Sequence, residues 1–149
     1  MKVALVAPLA LLAASWFAPL AAASPPLLMA YPFQDHAVLQ RDRPVPVWGR
    51  AAPGESLTVS FAGHTLTSQA DADGNWRATL PQMPAGGPHR LEARTRGGAV
   101  QNVDDVMIGD VWLCAGQSNM VLQVHRALDS RAEIAGATDP AIRMLTIAN

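Results

Sequence analysis

Cysteine occurs once in these 149 residues, at Cys114, so no internal disulfide can form and no second thiol exists to complete a zinc or iron–sulfur site. Excess charge of one sign is missing as well. Eleven Lys and Arg stand against 12 Asp and Glu, a formal net charge of −1, which excludes the broad basic surface that binding to a phosphate backbone needs. Nucleic acid is therefore not an expected partner. Charged residues are only 15% of the chain and hydrophobic ones 50%, a balance foreign to a disordered polymer. A single long hydrophobic run is present, at the N-terminus, so a polytopic membrane protein is excluded too.

That run begins after Lys2, extends without charge from Val3 to Ala23, and closes with Ala21-Ala22-Ala23-Ser24. A basic start, an apolar stretch and an Ala-x-Ala site have the layout of a secretory signal peptide. The run is long enough to span a bilayer, but Pro8, Pro19 and the lack of a basic patch after it weigh against an anchor. The expectation is a signal peptide at residues 1–23 and an exported chain, periplasmic or extracellular, with no stable membrane insertion after cleavage.

From Ser24 to about residue 105, short alternating segments are separated by turn residues. Ser56-Leu57-Thr58-Val59-Ser60-Phe61 places Leu57, Val59 and Phe61 on one face of a strand, and Asn75-Trp76-Arg77-Ala78-Thr79-Leu80 does the same for Trp76, Ala78 and Leu80. Gly63-His64, Asp71 to Gly74 and Pro84 to Pro88 read as turns, and residues 65–69, 89–94 and 101–106 as further strands. Turn signals at such short spacing predict an antiparallel β-sandwich over residues 24–105. Asp71, Asp73 and Asn75 near Gly74 invite a calcium-loop reading, but the further acidic ligands and the bidentate Glu of an EF-hand are missing, so a hairpin turn is expected. Trp48 and Trp76 could form a sugar-stacking platform; placed at inward strand positions, they are expected in the core instead. His36, His64 and His89 show no ligand spacing and read as ordinary histidines.

Near residue 106 the pattern changes. Val106 to Ala115 is almost continuously apolar, as in a strand buried on both faces of a parallel sheet, and it ends in Gly116-Gln117-Ser118-Asn119-Met120. Residues 121–127 and 129–135 are helix-compatible, Asp139-Pro140 breaks them, and Ile142 to Ile147 is apolar again, so strand, sharp turn, helical connection and strand open a βαβ unit over residues 106–149. Cys114 is expected to be a buried, inert hydrophobe on the first of these strands.

The carboxyl end of such a strand is where reactive groups collect. Gly116 permits a tight turn, Ser118 would project its hydroxyl, and the backbone N–H groups after it could face a developing oxyanion. A serine needs a base, usually a histidine oriented by an acid, to become a nucleophile. Spacing alone leaves two readings open, nucleophile or helix N-cap.

The segment Gly109-Asp110-Val111-Trp112-Leu113-Cys114-Ala115-Gly116-Gln117-Ser118-Asn119-Met120 resembles the nucleophile block of the sialate O-acetylesterase family, within the SGNH hydrolase superfamily. Phe33 to Arg41, Pro44 to Gly49 and Ala52 to Glu55 are similar to the entry of that family's N-terminal β-domain. Asp71 to Trp76 and Pro140 to Leu145 match later stretches in the right order. The resemblance implies an N-terminal β-sandwich of jelly-roll or immunoglobulin-like type, then the start of a flavodoxin-like α/β hydrolase domain. It implies a serine esterase that removes O-acetyl groups from sugars, sialic acids or related glycans, with no metal or organic cofactor. By motif position Ser118 is the nucleophile and its backbone N–H an oxyanion donor, with Gly116, Gln117 and Asn119 positioning the elbow.

One departure from the family pattern stands out. The resemblance implies an Asp-x-x-His pair as orienter and base, yet none of the nine aspartates here has a histidine three residues on. His125, seven residues after Ser118, is a poor substitute on geometric grounds. The expectation is an N-terminal fragment of an esterase, truncated within the α/β domain and inactive alone, whose apolar strands lack cover. The alternative is an exported β-sandwich module that binds glycans or a partner without catalysis.

Overall fold

The computed structural model describes residues 27–147, so the expected signal peptide lies outside the described residues. Seven strands follow one another: β1 (Val38–Gln40), β2 (Val45–Arg50), β3 (Ser56–Phe61), β4 (His64–Gln69), β5 (Asn75–Leu80), β6 (Gly86–Thr95) and β7 (Val100–Gly109). Five of them form one sheet in the order β1-β7-β6-β3-β4, and β2 pairs with β5 in a small second sheet. The larger sheet curls into a half-barrel. Its edge strand β4 reaches β5 through Ser68, whose hydroxyl donates to the Arg77 carbonyl at 2.8 Å, and so meets the smaller sheet.

Local alternation explains the packing. In β3 and β5 every second residue is buried, so Leu57, Val59 and Phe61 meet Trp76, Ala78 and Leu80 in one core. Leu91 and Ala93 of β6, with Val103, Val106 and Ile108 of β7, complete it. Ala62 and Gly63, both at positive φ (45° and 81°), form the two-residue turn from β3 to β4, so the turn sits one residue earlier than Gly63-His64 and His64 opens the strand. A tight hairpin of this kind requires positive φ at both central residues. Asp71 makes the next turn: its Oδ1 accepts the backbone N–H of Asp73 and of Asn75, each at 2.9 Å. The Asp71 carboxylate is thus consumed by the hairpin, and these hydrogen bonds lower its pKa, the one from Asn75 most.

Not every connection is antiparallel. β1 runs parallel to β7, from Val38 opposite Met107 to Gln40 opposite Gly109. A segment before β1 also joins the small sheet: Ala30 N–H donates to Trp48 O at 3.0 Å and Arg50 N–H to Leu28 O at 2.9 Å.

Three expectations need correction. The apolar run does not continue as a buried strand to Ala115; β7 stops at Gly109, and Trp112 (83% exposed) and Leu113 (89%) lie in irregular chain. The cause is the short neighbour β1, whose pairing ends at Gln40, leaving residues beyond Gly109 with no strand to lie against. Cys114 is accordingly exposed, not buried. Trp48 also faces outward at 41% exposure, because Val45, Val47 and Gly49 take the inward phase of β2, whereas Trp76 is buried as expected.

After β7 come two short 3₁₀ turns, Ser118–Val121 and Val124–Arg126, then α1 (Ser130–Gly136). Helical turns occur where helix-compatible stretches were expected, but residues 142–147 form no strand. The βαβ unit expected over 106–149 is therefore not formed among the described residues, and the 105/106 boundary expected between parts falls inside β7. No helix among the described residues is long and apolar enough to cross a membrane.

Candidate active site

The Ser118 segment is a compact turn on the surface. Gln117 is extended, with φ −96° and ψ −161°, and its carbonyl accepts the Met120 N–H at 2.9 Å; Leu122 N–H closes onto Asn119 O at 3.2 Å. Ser118 is the first residue of this turn and makes no capping bond, so the N-cap reading left open by its spacing is not what the structure shows. A Cβ at position 116 would lie 2.6 Å from Cγ of Met120, a half-exposed flexible side chain that can turn away, and Gly116 is not at positive φ, so the expected need for glycine in a tight turn is not what the backbone shows. Gly116, Gln117, Ser118 and Asn119 are all exposed.

The arrangement presents a primary hydroxyl with two neighbouring amide side chains. Activation requires a base within hydrogen-bond reach. Among the described residues no hydrogen bond joins Ser118 to a histidine or carboxylate, and His125, on the second 3₁₀ turn, has no carboxylate partner.

One histidine–carboxylate pair does exist, at a place sequence reading passed over. His36 Nδ1 lies 2.5 Å from Asp105 Oδ2, and because a carboxylate only accepts, the imidazole proton sits on Nδ1. Arg143 donates to the same carboxylate through Nη1 at 2.8 Å and Nη2 at 3.4 Å. Hydrogen bonds from Arg143 first, and then from His36, hold Asp105 down at about 2, below its ordinary 3.8. His36 and Asp105 both adopt positive φ, 68° and 55°, a sparsely populated conformation for residues with a Cβ. The pair is 69 residues apart in sequence, so spacing carried no signal of it. Its structural effect is plain: Arg143 ties the segment after α1 to the end of the β-layer.

A second ion-pair system braces the exit from β7. Arg41 Nε donates to Asp110 Oδ1 at 2.9 Å, and Val111 N–H donates to Gln40 Oε1 at 3.0 Å, so the chain leaving the sheet toward Ser118 is pinned to the end of β1. The hydrogen bond from Arg41 keeps the Asp110 carboxyl below its usual range.

Mouse sialate O-acetylesterase is 33% identical over 97 residues, covering 59% of this chain and 18% of the mouse protein. The human sialate O-acetylesterase is 31% identical over 111 residues, covering 68% of this chain and 21% of the human protein. The chain is a relative of the sialate O-acetylesterases. In three dimensions it is similar to the crystal structure of a carbohydrate acetylesterase from Xanthomonas citri, with a TM-score of 0.70 and 45% identity over 76% of this chain and 26% of that one. No family model matches the chain. It spans about a fifth of the length of these sialate O-acetylesterases and about a quarter of the bacterial acetylesterase. At these identities the kinship is one of sequence as well as fold.

Proposed function

We propose that this chain contributes the nucleophile of a serine esterase that removes O-acetyl groups from carbohydrate, with Ser118 as the attacking residue. Its kinship with the sialate O-acetylesterases and with a carbohydrate acetylesterase at 45% identity carries this reading. The exposed Gly116-Gln117-Ser118-Asn119 turn supports it with a hydroxyl that makes no hydrogen bond among the described residues.

Ser118 Oγ would attack the acetyl carbonyl carbon while a base takes its proton. The tetrahedral oxyanion would be met by the Ser118 backbone N–H, with Gln117 and Asn119 holding the turn. Collapse breaks the ester C–O bond, the sugar hydroxyl leaves with the proton, and water then releases acetate from the acetyl-serine. The base and its orienter are not supplied by an Asp-x-x-His pair in these 149 residues. We therefore place the complete reaction in a protein in which this segment meets such a pair, and expect the 149-residue chain alone to be inactive. The uncharged run from Val3 to Ala23, read as a signal peptide, supports the reading of an exported enzyme whose substrate is a glycan outside the cytoplasm, with O-acetylated sialic acid the first to try. A second reading, an exported module that binds a glycan or a partner, draws on the absence of a base beside Ser118 among the described residues.

The test is hydrolysis of p-nitrophenyl acetate and of O-acetylated sialic acid by the chain and by the product of its full reading frame, each beside Ser118→Ala. Hydrolysis by the longer protein that vanishes with Ser118→Ala is the expected result. Activity that survives the substitution would refute the role given to Ser118, and silence in both forms would favour the binding module.

A further inference from the structure

The outer face of the small sheet carries an unusual set of side chains. Cross-strand register puts Trp48 opposite Arg77 and Arg50 opposite Asn75, all four on the exposed side. They line a groove of about 870 Å³ together with Tyr31 and Leu27 from the chain before β1. Tyr31 is 63% exposed and Trp48 41%, so two aromatic rings remain open on one face where the alternation of β2 and β5 offers polar positions.

The Trp48 ring is held in place. Phe33 packs against it edge-on, with centroids 4.8 Å apart and planes at 81°, a contact that covers at most one face of the indole. Charge is distributed unevenly over the same face. Asp71 also lines the groove, and its negative charge is turned toward the backbone N–H groups of its own turn, which its Oδ1 accepts. Arg50 is anchored by donating from Nη2 to Asp73 O at 3.0 Å, while the Arg77 guanidinium makes no hydrogen bond or ion pair among the described residues. Two exposed aromatic rings, Trp48 braced by Phe33, bordered by one anchored and one unpaired arginine suit a ring that is apolar on its face and anionic at its edge.

We propose that this groove binds an acidic sugar, with Trp48 and Tyr31 stacking on the pyranose face and Arg77 and Arg50 meeting its carboxylate. The site belongs to the β-layer and is built from residues other than the Ser118 turn. It rests on the carbohydrate reading above for the choice of a sugar over another small acid. It would hold a carboxylated glycan on the protein by a subsite that takes no part in ester cleavage.

The experiment is a titration of the ¹⁵N-labelled chain with N-acetylneuraminic acid and, separately, with its methyl ester, which keeps the ring and removes the charge. Saturable shifts of the Trp48 indole N–H and of Arg77 are expected, with a dissociation constant on the order of 1 mM. Trp48→Ala should weaken binding by about tenfold, as expected for loss of one stacking ring. Arg77→Gln should weaken binding of the acid by about tenfold, down to the level of the ester. The buried Trp76 indole, bonded to Leu28 O at 2.9 Å, reports that each variant is folded. Equal affinity for acid and ester in the parent chain, or unchanged affinity in a folded Trp48→Ala, would overturn the proposal. So would shifts confined to Trp112, beside the Ser118 turn, a result that leaves the esterase reading intact. Absence of hydrolysis by the unsubstituted longer protein, with the Trp48 shifts present, would sink the esterase reading and leave the groove standing.

Discussion

Gly49→Ala tests how the segment before β1 is held to the small sheet. A Cβ at position 49 would sit 1.8 Å from the Leu28 carbonyl oxygen and 2.8 Å from Met29 Cα, so backbone must move away from backbone. The movement breaks three hydrogen bonds: Ala30 N–H to Trp48 O, Arg50 N–H to Leu28 O, and the Trp76 indole N–H to Leu28 O. At about 0.5–1.5 kcal/mol net each, they account for about 1.5–4.5 kcal/mol. Met29, 2% exposed, is levered out with them. Full exposure of such a side chain costs a further ~1.5–3 kcal/mol, so a loss of at least about 3 kcal/mol is expected. Urea unfolding followed by far-UV circular dichroism gives the number, provided the slope of free energy against denaturant is unchanged. Gly136→Ala is the control, since a Cβ there meets nothing within 4 Å. A Gly49→Ala protein within about 0.5 kcal/mol of the parent, the range of ordinary surface substitutions, would refute the close approach.

The other outcomes follow from the charge ties and from exposure. Arg143→Ala should move the Asp105 carboxyl upward from about 2 toward its ordinary 3.8, measured by ¹³C chemical shift against pH; an unmoved midpoint would show that Arg143 does not hold it. Because Asp105 is depressed in the folded state, the stabilisation it brings is complete above about pH 4 and disappears as the pH falls through about 2. Amides of residues 137–147 should lose protection, relative to their intrinsic exchange rate at each pH, over that window in the parent but not in Arg143→Ala. Cys114 should react with a thiol reagent in the native chain as fast as in urea, and slow native labelling would place residues 110–115 under cover that the structure does not show.

Much of the β-layer was legible because alternation is a local property. The burial of Leu57, Val59 and Phe61, and of Trp76, Ala78 and Leu80, follows from a period of two that any neighbour on the core side would preserve. The Asp71–Gly74 turn was readable for the same reason: its hydrogen bonds span four residues. The Ser118 turn was visible as a motif, although its backbone places Gly116 outside the positive-φ region where glycine is required.

Where local pattern misled, a distant partner decided. An apolar run from Val106 to Ala115 predicts a buried strand only if strands flank its whole length, and the three-residue β1 stops that at Gly109. Trp48 reads as core by hydrophobicity, yet the phase of β2 is set by Val45 and Val47 against the facing sheet. The His36–Asp105–Arg143 cluster lay beyond reach entirely, because it joins residues 69 and 38 positions apart. Composition and short-range periodicity thus determined that this protein would build a β-layer and that Asp71–Gly74 would turn, while the turn expected at Pro84–Pro88 runs into β6, which opens at Gly86. Tertiary structure alone decided which strands had neighbours, which rings faced water and which charges met, since each depends on packing between segments that carry no record of one another in sequence.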